Sequence, residues 1–206
     1  MSCSLFWSLE KLKTEKVLIP GLPGDSLDFI GDRKMVLITG HRRENFGEPV
    51  KNICNSLLTL VKQNPDIQVL YPVHPNPNIK NTVYDILGGQ ERIILAEPQE
   101  YAEFSTLMKK SYLILTDSGG VQEEAPSLGK PVLVLREATE RPEAVEYGTV
   151  KLVGTNPEKI ISETQKLLDN KDEYQKMSEA INPYGDGKAS ERTVKILLEN
   201  KTLLCK

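Results

Sequence analysis

The chain has 206 residues, with 26 Lys and Arg against 29 Asp and Glu for a net charge of −3. That length suits one domain whose core needs no disulfide or metal staple, and the near-balanced charge gives no electrostatic footprint for nucleic acid or an anionic membrane. No apolar run approaches the ~20 residues of a membrane span, the patch Leu5-Phe6-Trp7 lacks the basic leader of a signal peptide, and Cys3, Cys54 and Cys205 are too scattered for a disulfide framework or a metal knuckle, so a reducing cytoplasm is the expected location.

Residues 1–34 read as a leader and connector, because Pro20, Gly21, Pro23, Gly24 and Asp25 are turn formers and no periodic pattern runs through them. From residue 35 to 206 the pattern is that of one folded domain. Short β-branched runs fall at 35–39, 67–71, 92–95, 112–116, 131–135 and 150–153, and most are continuously apolar, as strands buried on both faces are. Helical stretches separate them. The clearest carries Val50, Ile53, Cys54, Leu57, Leu58 and Val61 on one face, and others are expected over 79–87, 101–109 and 120–128. After Val153 the pattern predicts helices over 157–168, 172–181 and 189–198, the last two parted by Asn182-Pro183-Tyr184-Gly185-Asp186-Gly187. Strand, helix and parallel strand repeated in series give an α/β fold with a Rossmann-like, doubly wound parallel sheet.

In such a sheet ligands bind beyond the carboxyl ends of the strands, and the polar residues of interest follow the runs: Gly40 to Asn45, His74, Gln99, Asp117 to Gly120, and Arg136 to Arg141. At Ser118-Gly119-Gly120 a buried strand gives way to a helix through two glycines, where backbone N–H groups and the helix N-terminus suit a diphosphate. The same residues also suit a plain N-cap by Asp117 or Ser118. Glu124, one turn inside that helix, can accept hydrogen bonds from ribose hydroxyls or can be a solvated surface carboxylate. His41 is one of two histidines; beside Arg42 and Arg43 it can meet an oxyanion or relay a proton, or it can be a satisfied loop histidine. Arg136 and Arg141 can face phosphate or pair with Glu137, Glu140 or Glu143. The chain has no Gly-x-x-x-x-Gly-Lys loop, no Gly-x-Gly-x-x-Gly after a strand, no zinc spacing and no Gly-x-Ser-x-Gly elbow.

Five segments carry a family likeness: 39–47 (TGHRRENFG), 71–74 (YPVH), 98–101 (PQEY), 115–126 (LTDSGGVQEEAP) and 139–144 (TERPEA). Together with the turn at 182–187 they resemble the non-hydrolysing UDP-N-acetylglucosamine 2-epimerases, from about Val36 to the end. The resemblance implies the C-terminal, UDP-binding half of a two-domain GT-B fold, a reaction that interconverts UDP-GlcNAc and UDP-ManNAc by elimination and re-addition of UDP, and no need for a metal, nicotinamide or other cofactor. It implies that His41 is catalytic beside the departing phosphate, and that Ser118, Gly119 and Gly120 hold the diphosphate. Glu124 then meets the ribose, Gln99 and Phe104 lie along the uracil, and Arg141 reaches the diphosphate or sugar. Arg42 and His74 match positions that hold a second, regulatory UDP-sugar in some bacterial members. The family's proton-moving carboxylates belong to its N-terminal domain and have no counterpart here. The expected partners are therefore that domain or a complementary chain, with a homodimer as the family's usual assembly. Two other readings remain open on the residues: a nucleotide-sugar glycosyltransferase domain of the same fold, and a non-catalytic UDP-sugar-binding module.

Overall fold

The computed structural model describes residues 2–12 and 17–200; Cys205 lies outside them. Six strands form one sheet: β1 (Lys34–Thr39), β2 (Ile67–Pro72), β3 (Ile93–Ala96), β4 (Leu113–Thr116), β5 (Val132–Val134) and β6 (Val150–Leu152). Each matches an apolar run of the sequence to within about two residues. Every neighbouring pair is parallel, in the order β3-β2-β1-β4-β5-β6, which is the Rossmann order.

The alternation of side chains along each strand feeds two cores. Val36 and Ile38 of β1 pack under α2 (Glu48–Gln63), α3 (Pro77–Leu87) and α7 (Pro157–Asp169), while Met35 and Leu37 face the layer built by α1 (Ser2–Lys11), α4 (Tyr101–Lys110) and α5 (Gly119–Glu124). Helix α2 forms because Val50, Ile53, Cys54, Leu57, Leu60 and Val61 recur at 3–4 spacing and are all buried. Burial pushes the Cys54 thiol up to about 12, as befits a residue that packs rather than reacts. Two helices start by the same device: Asn76 accepts from the Asn78 amide ahead of Pro77, and Asn156 accepts from the Lys159 amide ahead of Pro157.

Three segments differ from the sequence expectation. Residues 120–128 are not one helix: α5 gives way to a 3-10 turn over Ala125–Leu128, where Pro126 has no N–H to continue the ladder. Helix α8 (Lys171–Ser178) stops short of Ile181, which is 75% exposed. A short helix α6 (Pro142–Glu146), which has no periodic signature, follows Arg141, and α9 (Ala189–Glu199) ends the described chain.

The start of the chain also proves structured. Helix α1 packs on α4 and α5, with Leu5 wholly buried and Leu9 nearly so, and Ile19, Leu22 and Ile30 of the following segment join the same core. The sequence hid this because Phe6 and Trp7, between the two inward leucines, point largely to solvent and blur the stripe. Leu5→Ala is expected to destabilise the chain by about 2–5 kcal/mol, the usual cost of a buried leucine cavity. A urea unfolding curve checks this; a loss below about 0.5 kcal/mol would mean the segment is an unpacked leader. No helix among the described residues is long and apolar enough to cross a membrane.

Candidate functional site

The chain leaves β1 toward β2 on one side and crosses back to β4 on the other, so a crevice opens at the carboxyl ends of β1 and β4. Register sets Thr39 opposite Thr116, which makes Gly40 and Asp117 neighbours across that crevice. A β-carbon on Gly40 would sit 3.3 Å from the Tyr71 hydroxyl oxygen and 3.6 Å from Asp117 Oδ2, so a side chain there would press on the Tyr71 hydroxyl.

Asp117 is fully buried at the end of β4 and ties the two loops together. Its Oδ2 accepts from the amides of His41 and Arg42, each at 2.9 Å, and from Asn45 Nδ2 at 3.0 Å. Its Oδ1 lies 3.2 Å from the His41 amide nitrogen and 3.1 Å from His41 Nδ1. Burial alone would raise its pKa, but the bonds from the His41 side chain and the Arg42 amide outweigh it and hold the carboxyl below the usual range. Asp117 is therefore not the N-cap of α5, and neither is the Ser118 side chain, which makes no capping bond; the Ser118 amide instead donates to Thr116 Oγ1 at 3.0 Å. A second clamp holds the same loop from outside. Arg136 donates to Glu44 at 2.6 Å and to both oxygens of Glu140, drawing the Glu140 carboxyl down to about 2.

The glycine turn faces two cations. A β-carbon at Gly119 would lie 4.0 Å from Nη2 of both Arg42 and Arg141. Arg42 thus stands at the glycine turn itself, and its buried Nε has no hydrogen-bond partner among the described residues. Arg141 is held beside α5 by Glu123, through its Nε, and by its amide on Thr139 Oγ1 at 3.1 Å, whose hydroxyl donates to Gln122 at 2.6 Å. Its ion-pair partner is thus Glu123, not one of the carboxylates nearer in sequence. The turn at 182–187 braces α5 from behind, with Asn182 Nδ2 donating to the Glu123 carbonyl at 3.1 Å and Ser127 Oγ at 2.6 Å.

The structure brings His41, Arg42, Ser118, Gly119, Gly120 and Arg141 to this one place. His74 joins through its ring, stacked on that of His41 at 6.1 Å between centroids. Glu124 is 7% exposed and accepts from the Tyr101 hydroxyl at 2.9 Å. Burial raises its pKa, and the bond from Tyr101 only partly compensates. Gln99 and Phe104 lie on the adjoining β3–α4 segment, which the Tyr101–Glu124 bond joins to α5. The Gln99 amide donates to the carbonyls of Glu97 and Pro20, at 2.8 and 3.3 Å, and Phe104 packs half-buried on the second core. Among the described residues no group of three or more His, Cys, Asp or Glu is placed to hold a metal ion. Sequence reasoning missed Asp117 and Tyr101 as partners of His41 and Glu124, since both pairings depend on which strands are neighbours.

Comparison with known proteins bears on this arrangement. A family model described as UDP-N-acetylglucosamine 2-epimerase matches residues 9–198. The chain belongs to this family. The Campylobacter jejuni UDP-N-acetylglucosamine 2-epimerase is 52% identical over 201 residues, covering 96% of this chain and 52% of that protein. Among solved structures, the Neisseria meningitidis UDP-GlcNAc 2-epimerase bound to UDP-GlcNAc superposes with a TM-score of 0.87 at 50% identity, covering 96% of this chain and 53% of that one. The Staphylococcus aureus MnaA–UDP structure gives 0.86 at 43%, over 100% and 52%. The chain thus spans about half the length of the epimerases it matches. Its likeness to the family also begins at residue 9 rather than near Val36, in keeping with the packing of α1 on the domain.

Proposed function

We propose that the chain is the UDP-holding, C-terminal half of a cytoplasmic UDP-N-acetylglucosamine 2-epimerase, a GT-B enzyme that interconverts UDP-GlcNAc and UDP-ManNAc. The observation that carries this reading is the convergence of Arg42 and Arg141 on the Gly119 turn, beside the buried Asp117 carboxylate that holds the His41 loop and faces the His41 imidazole.

In the proposed reaction a base from the N-terminal half takes the proton from C2 while the C1–O bond breaks. The electron pair of that bond leaves with the β-phosphate of UDP, and a 2-acetamidoglucal remains. The part of the present chain is to bind the nucleotide and stabilise the charge that grows on the leaving oxygen. Two guanidiniums and the amides at the start of α5 supply fixed donors, and His41 stands near them as a group that exchanges a proton. Re-addition of UDP after proton delivery to the other face of C2 gives the epimer. Glu124 takes the ribose hydroxyls, Gln99 and Phe104 flank the base, and Arg42 and His74 also serve a second UDP-sugar. The partner is the N-terminal domain or a chain that supplies it, and the assembly is a homodimer.

Calorimetry tests the reading on this chain alone: UDP is expected to bind saturably at or below about 1 mM, and no heat from a folded sample overturns it. Addition of the N-terminal half of a relative to the chain, with UDP-GlcNAc and no acceptor, is expected to yield UDP-ManNAc, whereas release of free sugar or transfer to an acceptor would indicate a glycosyltransferase.

Glu124 offers a prediction with two signs. Its folded-state carboxyl is raised above the ordinary 4.5, so the folded chain holds that proton to higher pH than the unfolded chain, and stability falls as pH rises through the interval between the two values. At neutral pH the ionised, buried carboxylate is a net cost. Glu124→Gln keeps an acceptor for Tyr101 and removes the charge. It is expected to raise the thermal midpoint at pH 7 while weakening UDP binding about tenfold, the worth of one hydrogen bond to a charged acceptor. A melting scan and a UDP titration of the same variant check both signs.

A further inference from the structure

Asp117 meets more donors than a loop clamp needs. One of its oxygens is filled by the amides of His41 and Arg42 and by Asn45 Nδ2, and its other oxygen lies 3.1 Å from His41 Nδ1. A carboxylate in this setting offers only acceptors, so the ring nitrogen that faces it must carry the proton. The His41 side chain is 40% exposed while Asp117 is fully buried, which leaves Nε2 on the side of the ring away from Asp117. The neighbouring His74 uses the opposite arrangement: its Nδ1 accepts from the Asn76 amide at 3.2 Å, so its proton sits on Nε2 in the neutral ring. The two stacked histidines are thus set in opposite tautomers by two different partners.

We infer that Asp117 is a positioning residue that acts through His41, fixing its Nδ1–H tautomer and ring orientation so that Nε2 is the ring nitrogen left to exchange a proton with the ligand. The identity of that ligand rests on the epimerase reading above; the tautomer does not. The same carboxylate sets the Arg42 backbone, so the cation at the glycine turn and the imidazole are held in a fixed relation.

The isosteric change Asp117→Asn separates this role from a structural one. Three N–H donors converge on Oδ2, so the amide oxygen of the asparagine must turn toward them. Its NH2 group then faces His41 Nδ1, which can only accept, and the imidazole proton is driven to Nε2. A residue that merely braced the loop would leave the tautomer unchanged. Asn45→Ala serves as the control, because Asn45 shares Oδ2 and also donates to the Leu135 carbonyl at 3.3 Å without bonding to His41.

The experiment is a long-range 15N–1H spectrum of the chain labelled at histidine. There are two histidines, and a His74→Gln sample assigns them. The expected results are the Nδ1–H form of His41 in the wild type and in Asn45→Ala, and the Nε2–H form in Asp117→Asn. An Nε2–H tautomer in the wild type overturns the inference, whether or not the variant folds. An Asp117→Asn protein that folds and keeps the Nδ1–H form overturns it as well. If wild-type protein shows the Nδ1–H form but binds no UDP, the positioning role is supported and the functional reading above fails.

Discussion

Replacing Asp117 with alanine is expected to destabilise the chain by about 3–5 kcal/mol, the range for removing one member of a buried, charged network. The change strands the amides of His41 and Arg42 and the buried side chain of Asn45 in one step. Asn45 keeps its bond to the Leu135 carbonyl at 3.3 Å, but the two amides lose their acceptor. The effect has a pH signature. The Asp117 carboxyl is held below its ordinary 3.8 in the folded chain, so its contribution is fully present above that value and is lost as pH falls through the folded-state value. Urea unfolding of wild type and variant should differ most at neutral pH, and the gap should narrow below about pH 3.8. A gap that stays constant into acid would mean the carboxylate charge contributes nothing.

His41→Ala is the second large effect, and it falls on chemistry rather than on the fold. In an enzyme completed with an N-terminal half, turnover is expected to fall roughly 100- to 10,000-fold, the usual contribution of a positioned acid–base group. Stability should change by no more than about 1 kcal/mol, because the imidazole is 40% exposed and its backbone amide still donates to Asp117. Steady-state kinetics with a parallel melting curve separates the two. Unchanged turnover refutes the role of His41, and a large loss of stability would show that the ring mainly supports the loop.

The two predictions differ in how far the sequence alone could reach them. His41 and the Ser118-Gly119-Gly120 turn could be singled out because each follows a buried strand at the carboxyl edge of the sheet, although the residues alone left a satisfied loop histidine and a plain N-cap open. The six strands were equally plain, since parallel strands carry unbroken apolar runs. Asp117 was not, because its partners at positions 41, 42 and 45 are more than seventy residues away and become neighbours only once β4 is known to lie against β1. Tyr101 and Glu124 share that difficulty across α4 and α5. Helix α1 stayed hidden for a local reason: its two inward leucines are separated by aromatic residues that face outward, so the stripe that marks an amphipathic helix is too narrow to see. Arg136 and Arg141 follow one another closely in the loop after β5, yet one clamps the β1 loop and the other lies against α5, a division that charge pattern alone could not make.

An amide-resolved NMR titration of the chain with UDP tests most directly whether the Gly119 turn is the diphosphate site. The largest shifts are expected at the backbone amides of Gly119 and Gly120, with smaller ones at His41, Arg42 and Arg141. Shifts centred on another cleft, such as that between Phe6, Ser127 and Asn182, with the Gly119 and Gly120 amides unmoved at saturation, would contradict it.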